Sequence, residues 1–370
     1  MIICIDVSQR TKDDLERLLE VGNYRDYSEA VAVAVTNQLL LHNHAADATA
    51  KVKTPETMVA EGKPGLKTKV FEAAPTPTEG PGVPAIFSFT GGISKPETFA
   101  PYPNDAFAVG QEVPVDRWIF GQHNKLLPVK ATCRALAALM GAEQHTALSL
   151  AKTAADIASE AVKLGDYLRH MDNESGVHRD DALSFAFPYS DSPNGDKSRL
   201  RFANQFVASF TKQGTMTGLP IELKLVNRDH SRTPRLLLTE AGWRFAELRN
   251  PILDDQKDAR GPRFTNDEVD FLLAHIRSRV PAEAFAYRAV LGAISGGANT
   301  PGKLDDALEE HLSKRDEKPF TRAFLTTQRA GVISRMIDLG LIQRIRDGLN
   351  VTYALTEKLA SSPNLVAEVV

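Results

Sequence analysis

Thr321, Arg322, Thr326, Thr327, Gln328, Arg329 and Arg335 crowd fifteen residues of this chain, and Arg344 and Arg346 follow at alternate positions shortly after. These side chains suit the grip of a polyanion. Gln and Arg form paired hydrogen bonds with the edges of adenine and guanine, while Thr and Arg bond phosphate oxygens. Gln328 and Arg329 are the foremost candidates for such contacts. Upstream, Lys197, Arg199, Arg201, Asn204, Gln205 and Lys212 offer the same chemistry, followed by Arg228, Arg232 and Arg235.

Whole-chain charge conceals this pattern. The 370 residues carry a formal net charge of −3 and a pI near 6.3, which alone disfavours a polyanionic partner. Yet residues 197–249 hold ten basic residues against four acidic ones, and residues 318–350 hold six against two. Positive charge therefore gathers in two blocks, while Asp305, Asp306, Glu309 and Glu310 sit elsewhere.

Spacing outlines the scaffold beneath these residues. Residues 320–339 read as a helix whose buried side is Phe324, Val332, Ile333, Ile337 and Leu339. Gly340, Leu341 and Ile342 come next, and then a hairpin over 343–357 with the tight-turn pair Asp347 and Gly348. The upstream block repeats the order: a helix over 198–213, then Gly218, Leu219 and Pro220, then strands near 222–226 and 235–239.

This order resembles the recognition helix and wing of winged-helix DNA-binding domains, with a wing of the MarR or PadR type, twice in one chain. The resemblance implies a helix in the major groove and a hairpin on the backbone. It implies DNA contact by Arg199, Arg201, Gln205, Lys212, Arg228, Arg232 and Arg235 in the first block. In the second the contacts fall to Arg322, Thr327, Gln328, Arg329, Arg335, Arg344 and Arg346.

The first forty residues form another pattern. Ile3, Ile5 and Val7 alternate as in a strand, Leu15, Leu18 and Leu19 mark one helix face, and Val31, Val35 and Leu39 mark a second. Gly22 and Asn23 separate the helices and Ser28 stands at an N-cap. With residues 22–31 as the closest match, this unit resembles the ribbon-helix-helix family. So small a unit cannot bury enough apolar surface alone, so dimerisation through Ile3, Ile5, Val7, Val31 and Val35 is expected. The opposite strand face, Ile2, Cys4 and Asp6, lacks base-reading groups.

Nine of the 21 prolines fall in residues 43–112, which read as a largely disordered linker. Its second half, with Phe87, Phe89, Phe99, Tyr102 and Phe107, is expected to pack back on the domain after it. The expected organisation is 1–42 dimerisation unit, 43–112 linker, 113–250 first winged-helix-like domain, 251–263 hinge, 264–360 second such domain and 361–370 tail. The expected fold class is mainly α with small β hairpins.

Other chemistries find little support. Cys4 and Cys133 are too few for a disulfide framework or a thiolate zinc site, and Cys133 reads as a core thiol. Asp180 with Asp181 and Asp254 with Asp255 read as solvated turns, and Trp243 as a packing anchor. Nothing assembles a nucleophile, base and orienter, so neither catalysis, a metal nor a cofactor is expected. No apolar run is long enough to span a membrane, and the cytoplasm is the expected compartment. The composite expectation is a dimeric regulator that binds double-stranded DNA. The alternative is a non-enzymatic adaptor whose winged helices hold proteins together in a plasmid, viral or defence assembly.

Overall fold

Residues 127–137 carry no continuous polar stripe, and the helix they begin, α1 (Leu127–Ala142), is buried around its whole circumference along them. A helix buried on all sides belongs inside a protein, and α1 is the axis on which the rest is built. The computed structural model describes residues 82–360 apart from 89–94, 97, 104–105, 143–148, 212–213, 230–234, 256–258, 314–319 and 349. Contacts divide the chain into Met1–Thr78 and Glu79–Val370, and all described residues belong to the second unit. The dimerisation unit expected at 1–42, with Ile3, Ile5, Val7, Val31 and Val35, lies outside the described residues. So do Lys212, Arg232 and the tail 361–370.

The described residues are mainly helical, with three two-stranded antiparallel sheets. After α1 comes α2 (Leu150–Ser175), stopped by Gly176 in the left-handed conformation (φ 60°). Then follow α3 (Gly195–Phe202), a π turn (Ala203–Val207), a pairing of β1 (Ser209–Phe210) with β2 (Met216–Thr217), and α4 (Leu219–Glu222). β3 (Val226–Arg228) pairs with β4 (Leu236–Leu238) and leads into α5 (Glu240–Glu247), which Thr239 caps. Phe87, ahead of α1, is buried in the same core, and Ala100, also buried, donates its N–H to Leu238 O on β4 (2.9 Å).

Beyond residue 263 come α6 (Asn266–Arg279), α7 (Pro281–Ser295), α8 (Pro301–Ser313) and α9 (Arg322–Asp338). The hairpin of β5 (Ile342–Asp347) and β6 (Asn350–Leu355) and then α10 (Glu357–Ala360) complete the chain. Local chemistry sets the boundaries. Thr265 and Glu268 form a reciprocal capping box on α6, and α7 and α8 start on Pro281 and Pro301, where a missing N–H costs nothing. Tyr353 N on β6 donates to Asn299 O (2.8 Å), which ties the α7–α8 connection to the hairpin.

The expected upstream helix over 198–213 is not continuous. The eight-residue α3 begins at Gly195 and ends at Phe202, the π turn follows, and Ala208 is fully extended (φ −169°, ψ 152°). Phe202, Phe206 and Val207 are drawn into the core, and Thr132 on α1 donates to Phe206 O (2.7 Å). At 1.5 Å per residue, α3 is a rod of only about 12 Å. Residues 222–225, expected as strand, turn instead through Lys224 at φ 56°.

Two cations lie inside the core on α1, and both reach toward the connection at 248–268. Lys130, fully buried, pairs with the fully buried Glu268 (2.9 Å) and donates to Leu248 O (2.6 Å). Arg134 binds Asp254 and the carbonyls of Phe87, Ala246 and Leu248. Unpaired charge is not tolerated in such a place, so each is surrounded by acceptors. Burial pulls the Lys130 ammonium down to about 8 and pushes the Glu268 carboxyl up. The same burial raises the Cys133 thiol to about 12, which leaves it inert.

Residues 251–263, expected as a hinge, are helix-poor but tied down. Asn250 accepts from the N–H groups of Ile252 and Leu253 and donates to Arg263 O and Glu268. Ile252, Leu253 and Ala259 are buried. Asp254 and Asp255, read as solvated turn residues, pair with Arg134 and Arg249. Both halves share one apolar core.

Candidate nucleic-acid interface

The seventeen-residue α9 starts where Thr321 Oγ1 accepts from Phe324 N. It is long enough for a major groove, about 25 Å, but both of its flanks are occupied. Leu325, Val332, Ile333 and Met336 are buried in the core. Arg329, on the same helix, pairs with Asp305 on α8 (2.6 Å).

Gln328, Gly331, Arg335 and Asp338 recur at helical spacing on the other flank and dock on the segment leading into α1. Gln328 accepts from Gly121 N and donates to Val115 O (3.1 Å). Arg335 holds Glu283 through two bonds (2.6 and 2.8 Å) and also donates to His123 O. Asp338 accepts from Leu126 N (2.9 Å) and pairs with Arg263. Gly331 meets Gly121 backbone to backbone: a Cβ on Gly331 would lie 2.3 Å from Gly121 O, and one on Gly121 would lie 2.0 Å from Thr327 O.

The water-facing placement expected for Gln328, Arg329 and Arg335 is therefore corrected. They are 2%, 6% and 0% exposed. Their partners Val115, Asp305 and Glu283 lie 24 to 213 residues away, so local acid depletion around the helix said nothing about them.

The hairpin arginines are also engaged. Arg344 pairs with Asp181 (3.2 Å) and Arg346 with Asp180. The hydrogen bond from Arg346 holds the Asp180 carboxyl below its ordinary value. Asp180 and Asp181 are thus docking points for β5, not merely solvated turns. Elsewhere Arg235 pairs with Asp229 across the β3–β4 connection, Arg322 with Asp306 (2.8 Å) and Arg199 with Asp196. Arg228 is exposed at the end of β3 and has no ion-pair partner among the described residues.

Three of the expected residues, one of them from the other block, do converge. Arg201 and Gln205, at and after α3, and Thr327 on α9 line a single cleft of about 1310 Å³. Lys197 and Thr326 join them, as do Arg169 from α2 and Arg179 from the loop beyond it. The lining holds four cations, Arg169, Arg179, Lys197 and Arg201, and one carboxylate, Asp172. That carboxylate is already used, accepting from Leu183 N and Ser184 N (both 2.9 Å). The four cations are exposed, and none has an ion-pair partner among the described residues.

Aromatic surface accompanies the charge. Phe185 is 41% exposed in the cleft wall, and the Arg169 guanidinium lies over the Tyr189 ring at 4.4 Å. Gln205 Nε2 makes only a long bond to Gln122 Oε1 (3.3 Å), which leaves both amides with capacity for a ligand. Arg169, Arg179, Phe185 and Tyr189 carry no signal of this role in the sequence. The first is one basic residue on a mostly polar helix face and the others lie in the irregular stretch between α2 and α3, so only the fold gathers them. The arrangement can hold a chain of phosphates by charge and offer flat surfaces to attached rings.

No protein-family model, no curated protein and no solved structure matches this chain. No described helix is long and apolar enough to cross a membrane.

Proposed function

We propose that the chain is a DNA-binding protein, a regulator or organiser of DNA, whose phosphate contacts centre on the cleft of Arg169, Arg179, Lys197 and Arg201. One observation supports the reading above all. Four cations with no ion-pair partner among the described residues surround a hollow whose sole carboxylate is consumed by backbone N–H groups. Charge of that kind attracts a polyanion and releases its counterions. The element order α7, Asn299, α8, α9 and the β5–β6 hairpin, with Tyr353 bonded to Asn299, is consistent with a winged-helix ancestry for the second half. Under this proposal α9 is a structural helix, and the outward contacts belong to the cleft and to Arg228. Pairing through residues 1–42 would present two clefts per dimer and raise the effective concentration of the second contact.

A second reading is favoured by a separate observation. Gln328, Arg329 and Arg335 are spent inside the molecule and Arg344 and Arg346 are paired, as befits a non-enzymatic adaptor built on the same elements. Retardation of a random-sequence duplex at low salt separates the two, because an adaptor leaves it unshifted. For a binder, Lys197→Ala with Arg201→Ala should lower the slope of log affinity against log salt by about 2 for duplex DNA, near one unit for each phosphate no longer neutralised. A slope unchanged for single-stranded as well as duplex DNA refutes the cleft as the contact surface.

A further inference from the structure

We infer that the cleft receives an unpaired stretch of nucleic acid, with bases stacked on its aromatic wall, rather than the groove of an intact duplex. The inference rests on the reading of the cleft as a phosphate-binding surface and adds the class of strand it takes.

Shape is the first argument. Reading a duplex requires a protruding rod or ribbon that enters a groove about 12 Å wide. The basic surface here is a hollow, and α9 presents to it only Thr326, Thr327 and Ala330. Its Arg335, Arg329 and Gly331 are locked against Glu283, Asp305 and the Gly121 backbone. Phosphates of a single strand, by contrast, can follow a concave basic track while their bases turn inward.

The aromatic wall is the second argument. Phe185 exposes 41% of its surface in a lining that mixes polar and apolar groups, where water gains nothing from it but a base gains a stacking partner. Tyr189 carries the Arg169 guanidinium on its face, and Lys197 and Arg201 add exposed charge to the same lining. Alternating flat and cationic surfaces are what sequence-tolerant strand binding uses. Asn124, Asn194 and Gln122 in the lining supply donors and acceptors for base edges that only an unpaired base exposes.

The test is fluorescence anisotropy of the full chain with three labelled probes of equal length: oligothymidylate, oligouridylate and a mixed-sequence duplex. The expected result is tighter binding of either single strand than of duplex. Phe185→Leu, which keeps apolar bulk but removes the flat face, should weaken single-strand binding about tenfold while leaving the thermal midpoint and the duplex signal unchanged. Lys197→Ala with Arg201→Ala should lower the single-strand salt slope by about 1.4. Duplex preferred over both single strands, or Phe185→Leu without effect on them, overturns this inference and leaves the phosphate-binding reading standing. Absence of binding to all three probes at low salt removes both.

Discussion

The arginines of α9 and the cations around α3 look alike in the sequence and meet opposite fates in the fold. Both sets belong to basic stretches followed by a hairpin. On α9, Arg329 and Arg335 turn inward onto Asp305 and Glu283, whereas Lys197 and Arg201 stay in water at the edge of a cleft. A scarcity of nearby acids therefore does not mark a binding face. An inward arginine takes its carboxylate from another helix, and the guanidinium fork pairs best there.

Removal of an inward partner should have the largest effect. Arg335→Ala leaves the fully buried Glu283 without its counterion and should lower stability by about 3–5 kcal/mol, read as a fall in the urea midpoint. Arg335→Met with Glu283→Leu should recover most of that loss, since an apolar pair of similar volume needs no desolvation. A mild effect of Arg335→Ala would mean that α9 is free to turn outward.

The buried cations of α1 give a pH test. Below about pH 8, Lys130 is protonated in both the folded and unfolded chain, so its burial cost is constant. Between about 8 and the ordinary value of 10.5 the folded state has given up a proton that the unfolded chain still holds, so stability rises with pH across that window. Relative to Lys130→Met, which lacks the titration, the wild type should gain about 3 kcal/mol over this span. Equal pH profiles in denaturant titrations would show that Lys130 is not desolvated.

A smaller loss is expected from Gly331→Ala. Its methyl group would meet Gly121 O at 2.3 Å, which should cost about 1–3 kcal/mol in the same assay as the two backbones part. Least affected in stability should be the outward set: Lys197→Ala with Arg201→Ala should stay within about 0.5 kcal/mol of wild type. If this pair instead destabilises the fold strongly, the cations around the cleft are structural and the contrast with α9 disappears.

Secondary structure was legible where it is local. The helix now seen as α9 and the β5–β6 hairpin were announced by apolar spacing and by Asp347 with Gly348. The break at Phe202 was not, because the π turn is imposed by burial of Phe206 and Val207 and by Thr132 reaching from α1. The cleft was half legible. Arg201, Gln205 and Thr327 were flagged by residue type alone, but their meeting depends on the docking of α9 against residues 115–126. Gly121 and Gly331 gave no sign of that docking, since a glycine needed for close approach reads like any other.

That pair of glycines also limits how this protein can be cut or shuffled. With no side chain on either surface, two peptide planes lie against each other where the blocks meet, and Gln328 and Arg335 complete their hydrogen bonding only across the seam. A fragment ending in the 251–263 stretch would present the bare Gly121 amide to solvent, and one beginning there would leave the Arg335 guanidinium without its bond to His123 O. However alike the two paragraphs are as written in the gene, each half is the wall that the other lacks, and neither should survive as a transplantable cassette.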